Sequence, residues 1–450
     1  MARVVKIKKG LNINLKGKAS EVLMEAGVSD SYAIVPDHYV GITPKVTVRP
    51  GDKVKAGSVL MTDKTFPEIK FVSPVSGEVK AVNRGEKRKV LSIVVEPDGR
   101  NEYESFEVQH PSSCSGKEIK EMLLKAGLWA FIRRRPYDRV ALLGEMPRDI
   151  FVSAYNSAPL APDFDFILKG EEDVFQTGLE ALKKLTHGKV YVGVKKGSSD
   201  IYPQGVEIVE LDGPHPAGNV GVMINHVAPV NKGEVVWTLN AADVLFIGRF
   251  LTKGIVDFTR TVALTGSEMT ERGYVKVIAG ATIDSIVGRK VLDGNKHVRL
   301  ISGNVLTGTK VVRNDYLGAY DNQITAIPEG DDVHEFIGWA TPGFGKFSTS
   351  HTYFSWLSGK NREYVLDARV RGGKRTIIMS NEYDRVFPMD IFPEYLLKAI
   401  IAFDIDKMEN LGIYEVAPED FALCEFVDTS KLEIQQIVRY GLDLLYKEMN

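Results

Sequence analysis

The side chains with the most chemical potential stand in one stretch, Gly213 to Gly248, which reads GPHPAGNVGVMINHVAPVNKGEVVWTLNAADVLFIG. It holds two imidazoles, His215 and His226, and two carboxamides, Asn219 and Asn225. Pro214 and Pro216 fix backbone angles, while Gly213, Gly218 and Gly221 permit positive φ or close approach, so the stretch reads as a shaped loop and not as helix or strand. The apolar runs VVWTL and DVLFIGRFL follow and can pack its base against a sheet. A polar loop on an apolar base suits a ligand, and it equally suits a joint between domains whose two His are satisfied locally.

Other reactive patterns are sparse. The eight His include no H-E-x-x-H and no pair at metal spacing, and no Cys-His nucleophile arrangement is visible. Two cysteines, Cys114 and Cys424, fit a reducing setting and are too few for a self-contained iron–sulfur cluster. No G-x-G-x-x-G follows any strand-like run, so nothing cradles a dinucleotide pyrophosphate. The loop Lys195, Lys196, Gly197, Ser198, Ser199 reads as a phosphate site or, more simply, a solvated turn. No catalytic residue, cofactor ligand or metal ligand is named from these patterns.

These residues need elements to hold them. A chain of 450 residues, 44% hydrophobic and 26% charged, divides into several domains with sizeable cores. Its formal charge of -2 gives no general attraction to nucleic acid. Basic residues do cluster at Lys6, Lys8 and Lys9, in RGEKRK from Arg84, and at Arg133, Arg134 and Arg135, each read as solvated surface or as docking surface for an anionic partner. No run reaches the roughly 20 apolar residues of a membrane helix, since YLLKAIIAF is short and broken by Lys398. The N-terminus MARVVKIKKG lacks the apolar core of a secretory signal.

The expected architecture is multidomain α/β plus β. Residues 1–105 form a β domain, its short alternating runs separated by PG, AG and SG turns. The pairing of PGDKVKAGSVL with SPVSGEVKAV resembles the biotinyl and lipoyl carrier barrel, with Lys64 near the position of the modified lysine. The segment from Lys64 to Pro74 is longer than a carrier hairpin, and no MKM flanks the lysine. Residues 106–258 carry the βαβ rhythm of a Rossmann-like domain, with a helix in EEDVFQTGLEALKKL stopped by Gly188. Residues 259–330 read as a β-grasp module: TVALTG, YVKVIAG, HVRLISG and ITAIPEG around one short helix from Ala281 to Val287. Residues 331–380 are an aromatic, glycine-rich connector ending in ARVRGGKRTIIMS, read as a turn and a strand. Residues 381–450 are helical, with Pro418, Glu394 and Glu419 at helix starts.

Several of these segments together resemble the A subunit of the sodium-translocating NADH:quinone reductase, a bacterial respiratory membrane complex. GPHPAGNVGVMINHVAPV, VRLISGNVLTGTKV, YLGAYDNQIT, NEYDRVFPMDIFPEYLL and FALCEFV carry the resemblance, in order and through most of the chain. It implies that the 259–330 module is a soluble-ligand-binding β-grasp (SLBB-like) domain. It also implies a peripheral subunit on the cytoplasmic face of the inner membrane, in a complex that oxidises NADH, reduces ubiquinone and exports sodium. Flavins and iron centres would lie in other subunits. The partners would be the other membrane and peripheral subunits, with ubiquinone as a further contact. Related flavin-binding subunits of NADH dehydrogenases place a glycine-rich loop after the first α/β helix, whereas this chain has Leu128, Trp129, Ala130, Phe131 and three arginines there. The alternatives are a flavin-binding module that oxidises NADH itself and a carrier domain modified at Lys64. The candidate partner- or quinone-facing residues are Arg133, Arg134, Arg135, Trp339 and Phe344.

Overall fold

The computed structural model describes residues 3–197, 201–292, 297–337, 340–341, 343–349, 353–359 and 361–449. Its centre is a seven-stranded sheet in the order Arg3–Lys6, Glu207–Asp212, Val190–Lys195, Ile150–Ser153, Val236–Asn240, Arg133–Arg135, Arg139–Val140. The first five strands are mutually parallel, the sixth runs antiparallel to them and the seventh antiparallel to the sixth. Alternation along each strand feeds two separate cores. Ile150, Val152, Trp237 and Leu239 face one; Phe151, Val236, Val209 and Leu211 face the other.

The first core is covered by the helices Gly116–Lys125, Glu172–Lys183 and Ala241–Lys253, and it continues into both β domains. Gly178 and Gly248 let two of these helices meet backbone to backbone. A Cβ on Gly248 would lie 1.9 Å from the carbonyl oxygen of Val174, and one on Gly178 2.6 Å from that of Val244. The second core is covered by the helix Val220–Val227 and by the C-terminal helices Glu382–Val386, Pro393–Ile401, Ile405–Asn410, Ala422–Val427 and Ile434–Met449.

The N-terminal β domain packs a four-stranded sheet against a three-stranded one. Lys64 is exposed, just past the strand Val59–Asp63, where the Asp63 carboxylate accepts hydrogen bonds from the backbone of Thr43, Thr65 and Phe66. A six-stranded sheet with the helix Ile283–Val287 forms the β-grasp region. Residues 3–24 leave the N-terminal unit: Arg3–Lys6 extends the α/β sheet and Leu23–Met24 the six-stranded sheet.

Four readings are corrected. The stretch from Gly213 lies inside the α/β domain, and its middle is the helix Val220–Val227, because Val222, Met223 and Ile224 bury against the sheet and override the loop-like glycines. Glu172–Lys183 ends before Gly188, whose missing side chain instead admits the Arg148 carbonyl. Residues 371–380 form no strand; Arg375 and Thr376 bond to Ser430 instead. Arg133, Arg134 and Arg135 are not a solvated patch but a strand, with Arg134 and Arg135 buried and all three paired to carboxylates.

Gly248→Ala should force the Glu172–Lys183 and Ala241–Lys253 helices apart. It is expected to lower stability by about 1–3 kcal/mol, read from urea unfolding midpoints at unchanged m-value.

Candidate functional site

Chain order along the central sheet runs outward from Ile150–Ser153 through Val190–Lys195 to Glu207–Asp212. It then returns to Val236–Asn240 on the opposite side of Ile150–Ser153. Connections therefore diverge at the carboxyl ends of these two neighbours, the position where open α/β sheets hold ligands. A cavity of about 520 Å³ opens there. Ser153 and Asn240 stand at its base, the β-grasp domain contributes Tyr320 to Gln323, and the C-terminal domain contributes Pro418, Glu419 and Gln435.

Buried ion pairs fix the floor. Arg260 donates to Asp243 at 2.6 Å and to Asn322 Oδ1 at 3.0 Å, with its guanidinium 5.0 Å from the Phe246 ring centroid. Arg133 lies 2.5 Å from Asp138 and over the Tyr320 ring, whose hydroxyl donates to the Ala130 carbonyl. His215 lines the wall, its Nδ1 3.0 Å from the Ser157 hydroxyl, which also accepts from Gly218 N. Burial pushes its pKa down to about 4, so the ring is neutral at neutral pH.

The structure divides the polar residues of the opening stretch. His215 and Asn219 reach the cavity. His226 bonds to the Val222 carbonyl of its own helix, and Asn225 donates to Glu415. Of the three arginines only Arg133 lines the cavity; Arg134 pairs with Glu145, and Arg135 with Asp420 and Glu419. Phe344 is exposed on the connector, 5.6 Å from the Phe354 ring, and Trp339 lies outside the described residues. Lys196 pairs with Asp212, while Ser198 and Ser199 also lie outside the described residues. Sequence patterns do not single out Asp243, Arg260, Tyr320 or Glu419 as site residues, because four distant segments supply them and no local motif marks them. The one available signal is Asn240, whose side chain accepts from Ala242 N to cap the following helix.

Trp129 and Phe131 are buried in the first core. Trp129 donates to the Ala141 carbonyl and meets Trp237 edge-on at 5.2 Å; Phe131 meets Phe246 at 5.1 Å. Among the described residues no group of three or more His, Cys, Asp or Glu is placed to hold a metal ion.

Asp243→Asn leaves the Arg260 charge buried without its counter-ion and should destabilise the chain by about 3–5 kcal/mol, measured by equilibrium unfolding. The double variant Asp243→Leu/Arg260→Met should recover most of that loss.

The comparisons with known proteins agree along the whole length. Residues 5–98 match the NqrA N-terminal barrel-sandwich hybrid domain, residues 114–256 the NqrA second alpha/beta domain, and residues 261–313 the NQRA C-terminal domain. The A subunit of the Na(+)-translocating NADH-quinone reductase of Neisseria meningitidis serogroup A is 36% identical, covering 99% of this chain and 100% of the relative. The corresponding proteins of Pasteurella multocida, at 35%, and Vibrio atlanticus, at 36%, match over the same shares. Identity at this level from end to end, together with three family domains in order, places the chain in the NqrA family, the A subunits of the Na(+)-translocating NADH-quinone reductase.

Proposed function

We propose that this chain is a peripheral subunit of a sodium-translocating NADH:quinone reductase, docked on the cytoplasmic face of the inner membrane. The identity over 99% of the chain to proteins named as its A subunit carries this reading. It fits the finding that no helix among the described residues is long and apolar enough to cross a membrane. NADH oxidation, sodium export and the flavin and iron centres belong, on this reading, to the complex and its other subunits. No catalytic residue is assigned to this chain.

Docking has a candidate surface in the connector. Phe336 is fully exposed, and Phe344, Phe354 and Trp356 are each about half exposed, whereas Tyr353 is buried and Phe347 packs on the second core. Large aromatics held open in this way suit a partner that buries them, since aromatic side chains dominate binding energy at interface centres. Phe344→Ala should weaken association with the membrane subunits by about 2 kcal/mol, roughly thirtyfold, without moving the thermal midpoint of the isolated chain. A lowered midpoint with normal assembly would place the ring in the fold rather than the interface.

The contribution to quinone binding is placed in the switch-point cavity. Its volume falls in the range of small-molecule sites. Arg133 and His215 offer groups for a carbonyl oxygen beside the Tyr320 ring. Titrating the isolated chain with a short-tailed ubiquinone analogue should quench tryptophan fluorescence, because Trp237 precedes the cavity residues Thr238 to Asn240. Arg133→Met should raise the dissociation constant about tenfold through loss of a charge-assisted hydrogen bond. Quenching that is equal in the variant would remove quinone from this cavity.

A further inference from the structure

Two guanidinium groups and three carboxylates meet where the C-terminal domain closes the cavity mouth. Arg133 and Arg135 leave the same side of their strand and face Asp138, Glu419 and Asp420. Arg439, from the last helix, also approaches, but it is matched by Asp443 at 2.9 Å and donates to the carbonyls of Tyr137 and Asp138. Asn219 donates to the Glu419 carbonyl, and Gln435 lines the same mouth without charge. The sum is one negative charge more than the positive charges balance, with Arg135 and Asp420 shut from water and Arg133 and Glu419 about one-third exposed. An uncompensated buried charge is strongly disfavoured, so either a carboxyl group keeps a proton or the cluster opens.

The three carboxylates are not equivalent. Asp138 is held by Arg133 at 2.5 Å. Asp420 has a fully buried side chain that accepts from Arg135 at 2.8 Å and from Ala417 N at 2.8 Å. Glu419 has one charged partner among the described residues, Arg135 at 2.9 Å, and its side chain is 35% exposed toward the cavity. Of the three, it alone combines a weakly held carboxyl with access to solvent. Phe421 and Cys424 are wholly buried in the second core and meet solvent only when this segment lifts from it, while Pro418 and Glu419 border the cavity.

We propose that Glu419 holds the exchangeable proton of this cluster and so controls whether the segment from Pro418 to Phe421 stays closed over the cavity mouth. Burial raises the Glu419 carboxyl above the ordinary carboxylate range, against the pull of Arg135 and with Asp420 and Asp138 adding to the rise. A raised folded-state value means that closure is complete below the ordinary carboxylate range and is lost as pH rises through the raised value.

The native thiol Cys424, buried in the helix Ala422–Val427, reports on this opening in the full chain once Cys114 is replaced by Ser. Its labelling rate with a thiol reagent is compared, between about pH 5.5 and 8.5, with that of the same chain carrying Glu419→Gln, which stays uncharged. Taking the ratio at each pH cancels the ionisation of the thiol itself. The ratio should be near unity at the acid end and rise about tenfold at the alkaline end. A ratio that is flat with pH overturns the proposal. A second measurement, ¹³C NMR of labelled glutamate carboxyls, should show one resonance titrating near neutrality that is missing from the Glu419→Gln spectrum. If every resonance titrates in the ordinary carboxylate range, the proposal fails whatever the variant does. Neither readout uses quinone or a partner subunit, so failure here is separable from failure of the proposed function.

Discussion

A parallel sheet built from Val, Ile and Phe on both faces cannot leave either face to water, and the remainder of the chain answers that requirement. One face takes three helices and both β domains; the other takes one internal helix and the whole C-terminal helical region. The same demand explains why the first strand belongs to the α/β sheet and not to the barrel that follows it. Arg3–Lys6 pairs with Glu207–Asp212 and shields what would otherwise be an open edge, with Val5 turned into the second core. The residues before the barrel thus tie the α/β sheet, the β-grasp sheet and the barrel into one unit.

Strand alternation also makes three consecutive arginines tolerable inside the protein. Arg134 projects to one side, toward Glu145 and the Tyr137 ring, while Arg133 and Arg135 project to the other, toward Asp138 and the acidic pair at 419 and 420. Each positive charge meets a carboxylate supplied by a different segment. The C-terminal domain is therefore joined to the sheet by charge as well as by its apolar face. Gly221 belongs to this joint, since a Cβ there would lie 2.4 Å from Asp420 Oδ1. Removing one partner would strand the other as an unpaired buried charge, which is why such a joint is specific in its geometry even where its net contribution to stability is small.

What the sequence discloses follows from the range of the physics involved. Period-two runs such as DIFVS and KVYVGV mark strands because alternation is local, and the amphipathic stripe of Glu172–Lys183 marks its helix for the same reason. The helix Val220–Val227 is hidden, because its glycine, asparagine and histidine favour loops locally and only burial against the sheet selects the helix. Charge runs mislead in the same way. RRR signals surface until the fold brings carboxylates to it, Asp138 and Glu145 from nearby and, for Arg135, Glu419 and Asp420 from some 285 positions away. The cavity is equally invisible, for its polar lining comes from the barrel, the sheet ends, the β-grasp loop and the C-terminal domain, none of which carries a motif.

The lack of a glycine-rich phosphate loop acquires a structural meaning at the switch point. Two helices begin beside the cavity, and in dinucleotide-binding sheets such starts offer free N–H groups and a positive dipole end to phosphate. Here Asn240 supplies the oxygen for the first turn of Ala241–Lys253, and the Asp420 carboxylate lies against the first turn of Val220–Val227. Only the first of these two starts is capped by a side chain. A ligand entering between them meets carboxamides, a neutral imidazole, tyrosine rings, a guanidinium already paired with Asp138, and the carboxylates of Asp37, Asp321 and Glu419. An anion would meet more negative than positive charge there.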